Sequence, residues 1–209
     1  MKNKHQMISL TVIILFGFII FYIGTDGFTA FTAETARTNK LITDQPIVPD
    51  VVMEDSLENE FHFSDLNGKY VFMTFFYTSC STVCPQLEMN VKEVYDQIPE
   101  AYLEDDIVFL SVSFDPERDT PDVLEKYRNY FDTDEDEWLM ARVSDQHQLD
   151  NLLDELGVIA IPDGDEEFTH NVAFYLIDPD GVLIDIMDYQ DTELAGNKVN
   201  DVLQGSDEI

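Results

Sequence analysis

The chain contains only two cysteines in 209 residues, and three residues separate them (Cys80-Ser81-Thr82-Val83-Cys84). One close pair in a chain of this length is not the disulfide framework of a small extracellular domain, and it points to redox chemistry or metal binding. The pair lies where an apolar run that reads as a buried strand gives way, at Pro85, to a stretch with helical spacing. Amide groups and the positive dipole end at a helix N-terminus stabilise anionic sulfur and lower a thiol pKa. Cys80 is expected in the loop and Cys84 in the first helical turn, with both sulfurs able to converge on one ion or to form a disulfide. Two soft thiolates suit copper(I) or zinc. A structural zinc takes four protein ligands, and either metal calls for at least one more donor from elsewhere in the chain.

Four histidines can supply it. His5 precedes the apolar N-terminal run. His62 alternates with Phe61 and Phe63, so it points from the solvent face of an early strand. His147 lies in the polar helix start Ser144-Asp145-Gln146-His147. A lone histidine is more often structural than a ligand. His170 differs, because it directly precedes a strand-like run through Ile177, at an edge where loops are expected to meet the cysteines. It is the candidate third ligand.

The elements that must position these residues follow from patterning. Phe61, Phe63 and an Asn67-Gly68 turn lead into Tyr70–Phe76, a buried strand by composition. Leu87, Val91, Val94 and Tyr95 recur at helical spacing from Pro85 to Ile98, which Pro99 closes. Ile107–Phe114 is a second buried strand, and Thr120-Pro121 reads as an N-cap and first helical position of a helix to Tyr130. A short strand at Trp138–Val143, a helix at Ser144–Leu156, a strand at Asn171–Ile177, the turn Asp178-Pro179-Asp180-Gly181, a partner strand at Val182–Met187 and a helix at Thr192–Leu203 complete the order. The acidic run Asp132–Glu137 lacks the glycine and twelfth-position glutamate of a calcium loop and reads as solvated. The predicted fold class is α/β and thioredoxin-like, a central mixed sheet flanked by helices, behind an N-terminal single-pass transmembrane helix.

That helix rests on an uncharged run from Met7 to Ile23, preceded by Lys2, Lys4 and His5. Positive charge before the run places the N-terminus inside and the remainder outside. A cleaved signal peptide is the alternative, but Thr25–Ala36 lacks a clean small-x-small site, and no cysteine follows the run to carry a lipid. The expected layout is residues 1–6 cytoplasmic, 7–24 an anchor in the cell membrane, 25–52 a linker and 53–209 an extracytoplasmic domain. Overall, 43 acidic residues oppose 11 basic ones, a net charge of −32, and this excludes nucleic-acid binding. The acids are spread from Glu34 to Glu208, as on a surface suited to high ionic strength; a docking face for a basic partner is the other reading.

Three stretches together resemble the Sco/SenC family of cytochrome c oxidase assembly factors. They are Phe75-Phe76-Tyr77-Thr78-Ser79-Cys80 through Cys84-Pro85, then Ser111-Val112-Ser113-Phe114-Asp115-Pro116-Glu117-Arg118-Asp119-Thr120-Pro121, and Thr169-His170 leading into Tyr175-Leu176-Ile177-Asp178-Pro179-Asp180-Gly181. The resemblance runs from Asn67 to about Tyr189. It implies a domain that binds copper(I) or copper(II) through Cys80, Cys84 and His170. It also implies delivery of copper to, or reduction of the cysteines of, the binuclear copper site in oxidase subunit II, with a copper donor and a thiol reductant outside the cytoplasm. Asp115 and Asp119 fall on the family's Asp-x-x-x-Asp segment, associated with the metal site or partner contact. From the residues alone, Asp119 and Thr120 serve equally well as caps of the next helix. Ser81 departs from the proline that many members carry there.

Two other functions start from the same dithiol. A thiol-disulfide reductase would use Cys80 as nucleophile and Cys84 as the resolving thiol, although thioredoxin-type enzymes have two intervening residues and a cis-proline where this chain has His170-Asn171-Val172. A peroxidase reading would pair Thr78 with Cys80, with no activating arginine identified.

Overall fold

The computed structural model describes residues 2–25, 32–103, 105–131, 137–163 and 167–206. Most of the acidic run, residues 132–136, lies outside the described residues. The chain divides into two units, Met1–Asp44 and Gln45–Ile209.

The first unit holds α1 (Lys2–Gly24) and α2 (Ala33–Asp44). Within α1, the 20 residues His5–Gly24 have a mean hydropathy of 2.5 with none buried, long and apolar enough to cross a membrane. The segment expected to be an irregular linker contains α2. It was missed because no apolar stripe marks it. Local terms form it instead: the Thr32 hydroxyl accepts from the Thr35 amide at 3.0 Å, and Arg37 pairs with Glu34 one turn back.

The second unit carries β1 (Val52–Asp55), β2 (Glu60–His62), β3 (Tyr70–Phe76), α3 (Cys84–Tyr95), α4 (Glu100–Leu103), β4 (Ile107–Ser113), α5 (Pro121–Arg128), β5 (Trp138–Arg142), α6 (Gln146–Glu155), β6 (Ala160–Asp163), β7 (Glu167–His170), β8 (Phe174–Ile177), β9 (Leu183–Met187) and α7 (Thr192–Ser206). Seven strands form one mixed sheet in the order β2-β1-β5-β4-β3-β8-β9. Strands β3, β4 and β5 are parallel, with Phe76 opposite Ser113 and Ser113 opposite Arg142 at their ends. Helical crossovers join them, and such central strands, covered on both faces, read as unbroken apolar runs. Every residue of β4 is buried. The predicted Tyr70–Phe76 strand, the hairpin β8–β9 and the α/β mixed sheet are all present.

Turn chemistry closes the hairpin. Asp178 Oδ1 accepts from the amides of Asp180 (3.0 Å) and Val182 (2.9 Å), and Gly181 takes a φ of +78° that a side chain would resist. Asp145 caps α6 by accepting from the Gln148 amide at 2.9 Å. Thr120 does occupy the N-cap position of α5, with extended backbone and Pro121 next, yet its hydroxyl makes no capping bond. The chief surprise is a separate two-stranded antiparallel ribbon, β6–β7, in a region read as loop. Its strands have four residues each and face solvent along much of their length, so they lack the clear two-residue apolar alternation that signals a half-buried strand.

Aromatic rings dominate the core. Phe72 packs on Phe109 (5.1 Å between centroids) and on Phe174 (4.9 Å), while Trp138 is fully buried beside Tyr95, Phe109 and Phe131. Inside this core lies a carboxyl group. Glu88 of α3 is fully buried; its Oε2 accepts from Ser111 Oγ at 2.8 Å, and that hydroxyl in turn accepts from Trp138 Nε1 at 3.0 Å. Its Oε1 and the nearby Tyr127 hydroxyl have no hydrogen-bond partner. Burial pushes the Glu88 carboxyl up to about 8, against the opposing pull of Ser111.

A carboxyl whose pKa is higher folded than unfolded stabilises the fold at low pH and loses that contribution as pH rises between the two values. Unfolding free energies of the wild type and Glu88→Gln, measured by denaturant titration, should therefore diverge between about pH 4.5 and about pH 8. The wild type should lose on the order of 5 kcal/mol relative to the variant across that window, with no further change above it. Parallel stability curves would mean that Glu88 titrates normally.

Candidate metal centre

Strand β3 ends at Phe76 in the middle of the sheet, and the chain turns through Tyr77–Cys80, with the Cys80 amide donating to the Tyr77 carbonyl at 3.3 Å. Helix α3 then starts at Cys84, and Pro85 follows where a missing amide hydrogen costs nothing. The Cys84 amide donates to Cys80 Sγ at 3.3 Å, and the Thr82 hydroxyl lies 3.7 Å from the same sulfur. Cys80 sulfur thus takes the place of a capping oxygen. Both thiols are free and buried, at 5% and 0% exposure.

Burial alone would raise the Cys80 pKa. Hydrogen bonds from the Cys84 thiol and amide, and from Thr82, outweigh it and bring the thiol down to about 7. Cys84 goes the other way: deeper burial, and then its role as donor to Cys80, push it far up. The geometry distinguishes a reactive thiol from a guarded one.

The ribbon supplies the histidine. His170 is the last residue of β7, opposite Ala160, rather than part of a loop before β8. Its ring stands against Phe114 (5.2 Å) and edge-on to Tyr77 (5.8 Å). Phe168, two residues earlier on the same face, packs on both of those rings at 5.1 Å, and its amide donates to the Tyr77 hydroxyl at 3.3 Å. His170 Nδ1 lies 3.2 Å from the Asn171 carbonyl oxygen. A carbonyl only accepts, so Nδ1 carries the hydrogen and Nε2 keeps the lone pair that a metal needs. Burial lowers the His170 pKa, with the Asn171 carbonyl opposing, which favours the neutral ring. One ligand atom each from Cys80, Cys84 and His170 lie within 4.8 Å of one another, and among the described residues this is the one such cluster. The donor set, two sulfurs and an imidazole nitrogen, fits copper.

The other histidines stay apart. His62 is exposed and pairs with Asp50 at 3.2 Å, and His147 is exposed on α6. Asp115 and Asp119 do not join the ligand cluster. Asp119, 0% exposed, accepts from the Thr78 amide at 3.0 Å, from the Thr78 hydroxyl and from the Ser113 hydroxyl. Its carboxylate therefore ties the cysteine loop to the end of β4 and does not cap α5. Asp115 pairs with Arg118, whose guanidinium sits 5.8 Å from the Phe168 ring centre, so this acid braces the ribbon. The wall of Tyr77, Phe114 and Phe168 was not foreseen, since aromatic residues beside apolar runs read simply as core.

Iodoacetamide labelling followed by peptide mass spectrometry should modify Cys80 first, with a rate midpoint near pH 7, while Cys84 resists through pH 9. Equal labelling would remove the distinction. Asp119→Ala leaves the half-buried Thr78 amide and the buried Ser113 hydroxyl hydrogen without an acceptor, so denaturant titration should show a loss of about 2–4 kcal/mol. A change below about 0.5 kcal/mol would mean that the carboxylate does not hold the loop.

Residues 40–204 match the SCO1/SenC family profile. The SCO1 protein homolog of Bacillus subtilis is 26% identical over 130 residues, which cover 61% of this chain and 65% of that protein's length. ScoI of Bradyrhizobium japonicum, solved with copper bound, superposes with a TM-score of 0.63 at 24% identity, over 74% of this chain and 98% of that one. BsSco, described as having a disulfide switch and as a member of the Sco family of cytochrome c oxidase assembly proteins, gives a TM-score of 0.61 at 20% identity, over 73% and 92%. The two structural likenesses establish the thioredoxin-like fold, and the family match, covering most of the sequence with the cysteine loop and His170 inside it, establishes that this chain belongs to the SCO1/SenC family.

Proposed function

We propose that the chain binds one copper ion through Cys80, Cys84 and His170 and passes it to the binuclear copper site of cytochrome c oxidase subunit II. The observation that carries this reading is the convergence of three buried or half-buried donors, from the β3–α3 junction and from the ribbon, within 4.8 Å. Two thiolates favour copper(I), and the imidazole adds a donor that copper(II) also accepts. Membership of a family with copper-bound and oxidase-assembly relatives supports the same assignment. In this reading α1 anchors the chain in the cell membrane, residues 1–6 stay in the cytoplasm, and the segment after the anchor, expected as a linker over residues 25–52, tethers an extracytoplasmic copper domain that begins at Gln45 rather than Met53, since Val48 and Val51 are already buried in it. A copper donor and a thiol reductant act on it there, since the cysteines must be reduced to take the metal.

A second reading is favoured by the depressed Cys80 pKa. A thiol near 7 beside a buried partner is the arrangement of a thiol-disulfide reductase, with Cys80 attacking and Cys84 resolving, directed at the subunit II cysteines or at other secreted proteins.

Copper stoichiometry and absorption of the reduced full chain in detergent discriminate the two. The expected result is one copper per chain with a sulfur-to-copper charge-transfer band, lost in Cys80→Ala and sharply weakened in His170→Ala. No tight copper, together with a reversible Cys80–Cys84 disulfide, would replace the first reading with the second.

A further inference from the structure

The ribbon that delivers His170 is fastened in two places. At Phe168 it leans on the aromatic wall described above. At its base, both legs meet at Asn171. The Ile159 amide donates to Asn171 Oδ1 at 2.6 Å, the Asn171 amide donates back to the Ile159 carbonyl at 3.3 Å, and Asn171 Nδ2 approaches the Gly157 carbonyl at 3.5 Å. Gly157 has a φ of +63° and is where the chain leaves α6 and turns into β6. One side chain therefore joins the entry and exit legs of the ribbon. The same residue's carbonyl oxygen accepts His170 Nδ1–H. The Tyr77 and Phe114 rings confine the imidazole but give it no polar direction, so the Asn171 carbonyl supplies that direction.

We propose that Asn171 is the positioning residue for His170: by clamping the two ribbon legs it fixes the carbonyl that holds Nδ1–H, keeps Nε2 as the lone-pair nitrogen, and thereby sets how well the site holds copper(II) relative to copper(I). This rests on the copper reading above. The selectivity follows from ligand chemistry. Copper(I) is satisfied by soft thiolates, so Cys80 and Cys84 retain it when the imidazole is loose. Copper(II) depends more on the nitrogen donor, and partners that orient a metal-bound imidazole commonly matter tenfold or more in affinity.

The test uses the full chain in detergent with 15N-labelled histidine, as wild type, Asn171→Ala, Asn171→Asp and His170→Ala. Asn171→Asp keeps an oxygen acceptor for the Ile159 amide. In the metal-free protein at pH 8, wild-type His170 should show the nitrogen shifts of a single Nδ1–H tautomer. Asn171→Ala should show mixed tautomers, and Asn171→Asp should restore the wild-type pattern. The copper(II) dissociation constant should rise about tenfold or more in Asn171→Ala and the copper(I) constant by less than about threefold. Wild-type shifts and unchanged copper(II) affinity in Asn171→Ala would overturn the proposal. So would equal losses for both oxidation states, which mark a merely structural defect. If wild type and His170→Ala hold copper(II) equally, the ligand assignment fails, while the metal-free nitrogen shifts still decide the role of Asn171.

Discussion

The site depends on one constraint: two thiols are held out of water at the point where a central strand ends and a helix begins. A buried thiolate is costly unless something replaces its solvation. Here the Cys84 thiol, the Cys84 amide and Thr82 do so for Cys80 Sγ, the amide, unsatisfied by its own helix, from 3.3 Å. The amide bond requires α3 to start at Cys84, which Pro85 enforces. It also requires β3 to stop at Phe76 and the turn between them to stay fixed. Asp119 meets the last requirement from the end of the neighbouring strand β4, by engaging both the amide and the hydroxyl of Thr78.

The supports of the site are of two kinds. Asp119 and Asp115 are acids with bonded donors, and they lock the loops at the strand ends, although at Asp119 burial still outweighs those bonds and raises the pKa. Glu88 is an unsatisfied one. With Oε1 unpaired, it is retained in the fold mainly as the neutral acid, so it is a weak point in a core of packed rings and aliphatic side chains. Its place on α3, one turn beyond Cys84 and on the same face, explains why it is buried: the turn that buries the second cysteine buries position 88 with it. Part of the stability available to an apolar residue there is forgone directly behind the site.

Legibility in the sequence tracks the range of the forces involved. Tyr70–Phe76, Ile107–Ser113 and the Asp178–Gly181 hairpin were readable because composition and turn residues act locally, and the sheet class followed from their order. The cysteine loop was readable for the same reason, and His170 was singled out by where it falls in the strand order. The means of bringing His170 to the sulfurs was not. A ribbon of two four-residue strands carries too little pattern, and its anchors, Phe168 on Tyr77 and Asn171 on Ile159, join residues that only the fold places together. Asp119 shows the same limit. Its sequence neighbours offered it as a helix cap and the family resemblance as a metal-site or partner contact, while the carboxylate in fact reaches Thr78, 41 residues away. Helix α2 was lost for the opposite reason, since it is stabilised locally without any apolar stripe.

Charge acts on this protein at two separate ranges. With 43 acidic residues against 11 basic ones, the mean field should disfavour any thiolate. Yet the Cys80 pKa falls, because the bonds that lower it come from Cys84 and Thr82, in contact with the sulfur, whereas most surface carboxylates are screened beyond a Debye length of about 8 Å at physiological salt. Short-range hydrogen bonding therefore sets the chemistry of the sulfur, and the long-range field is left to act on whatever approaches. It draws in cations, a metal ion included, and repels anionic thiols. Added salt should weaken that attraction and repulsion alike without altering the ionisation of Cys80, so the rate at which the site is reached and the reactivity of the site once reached are governed by different residues.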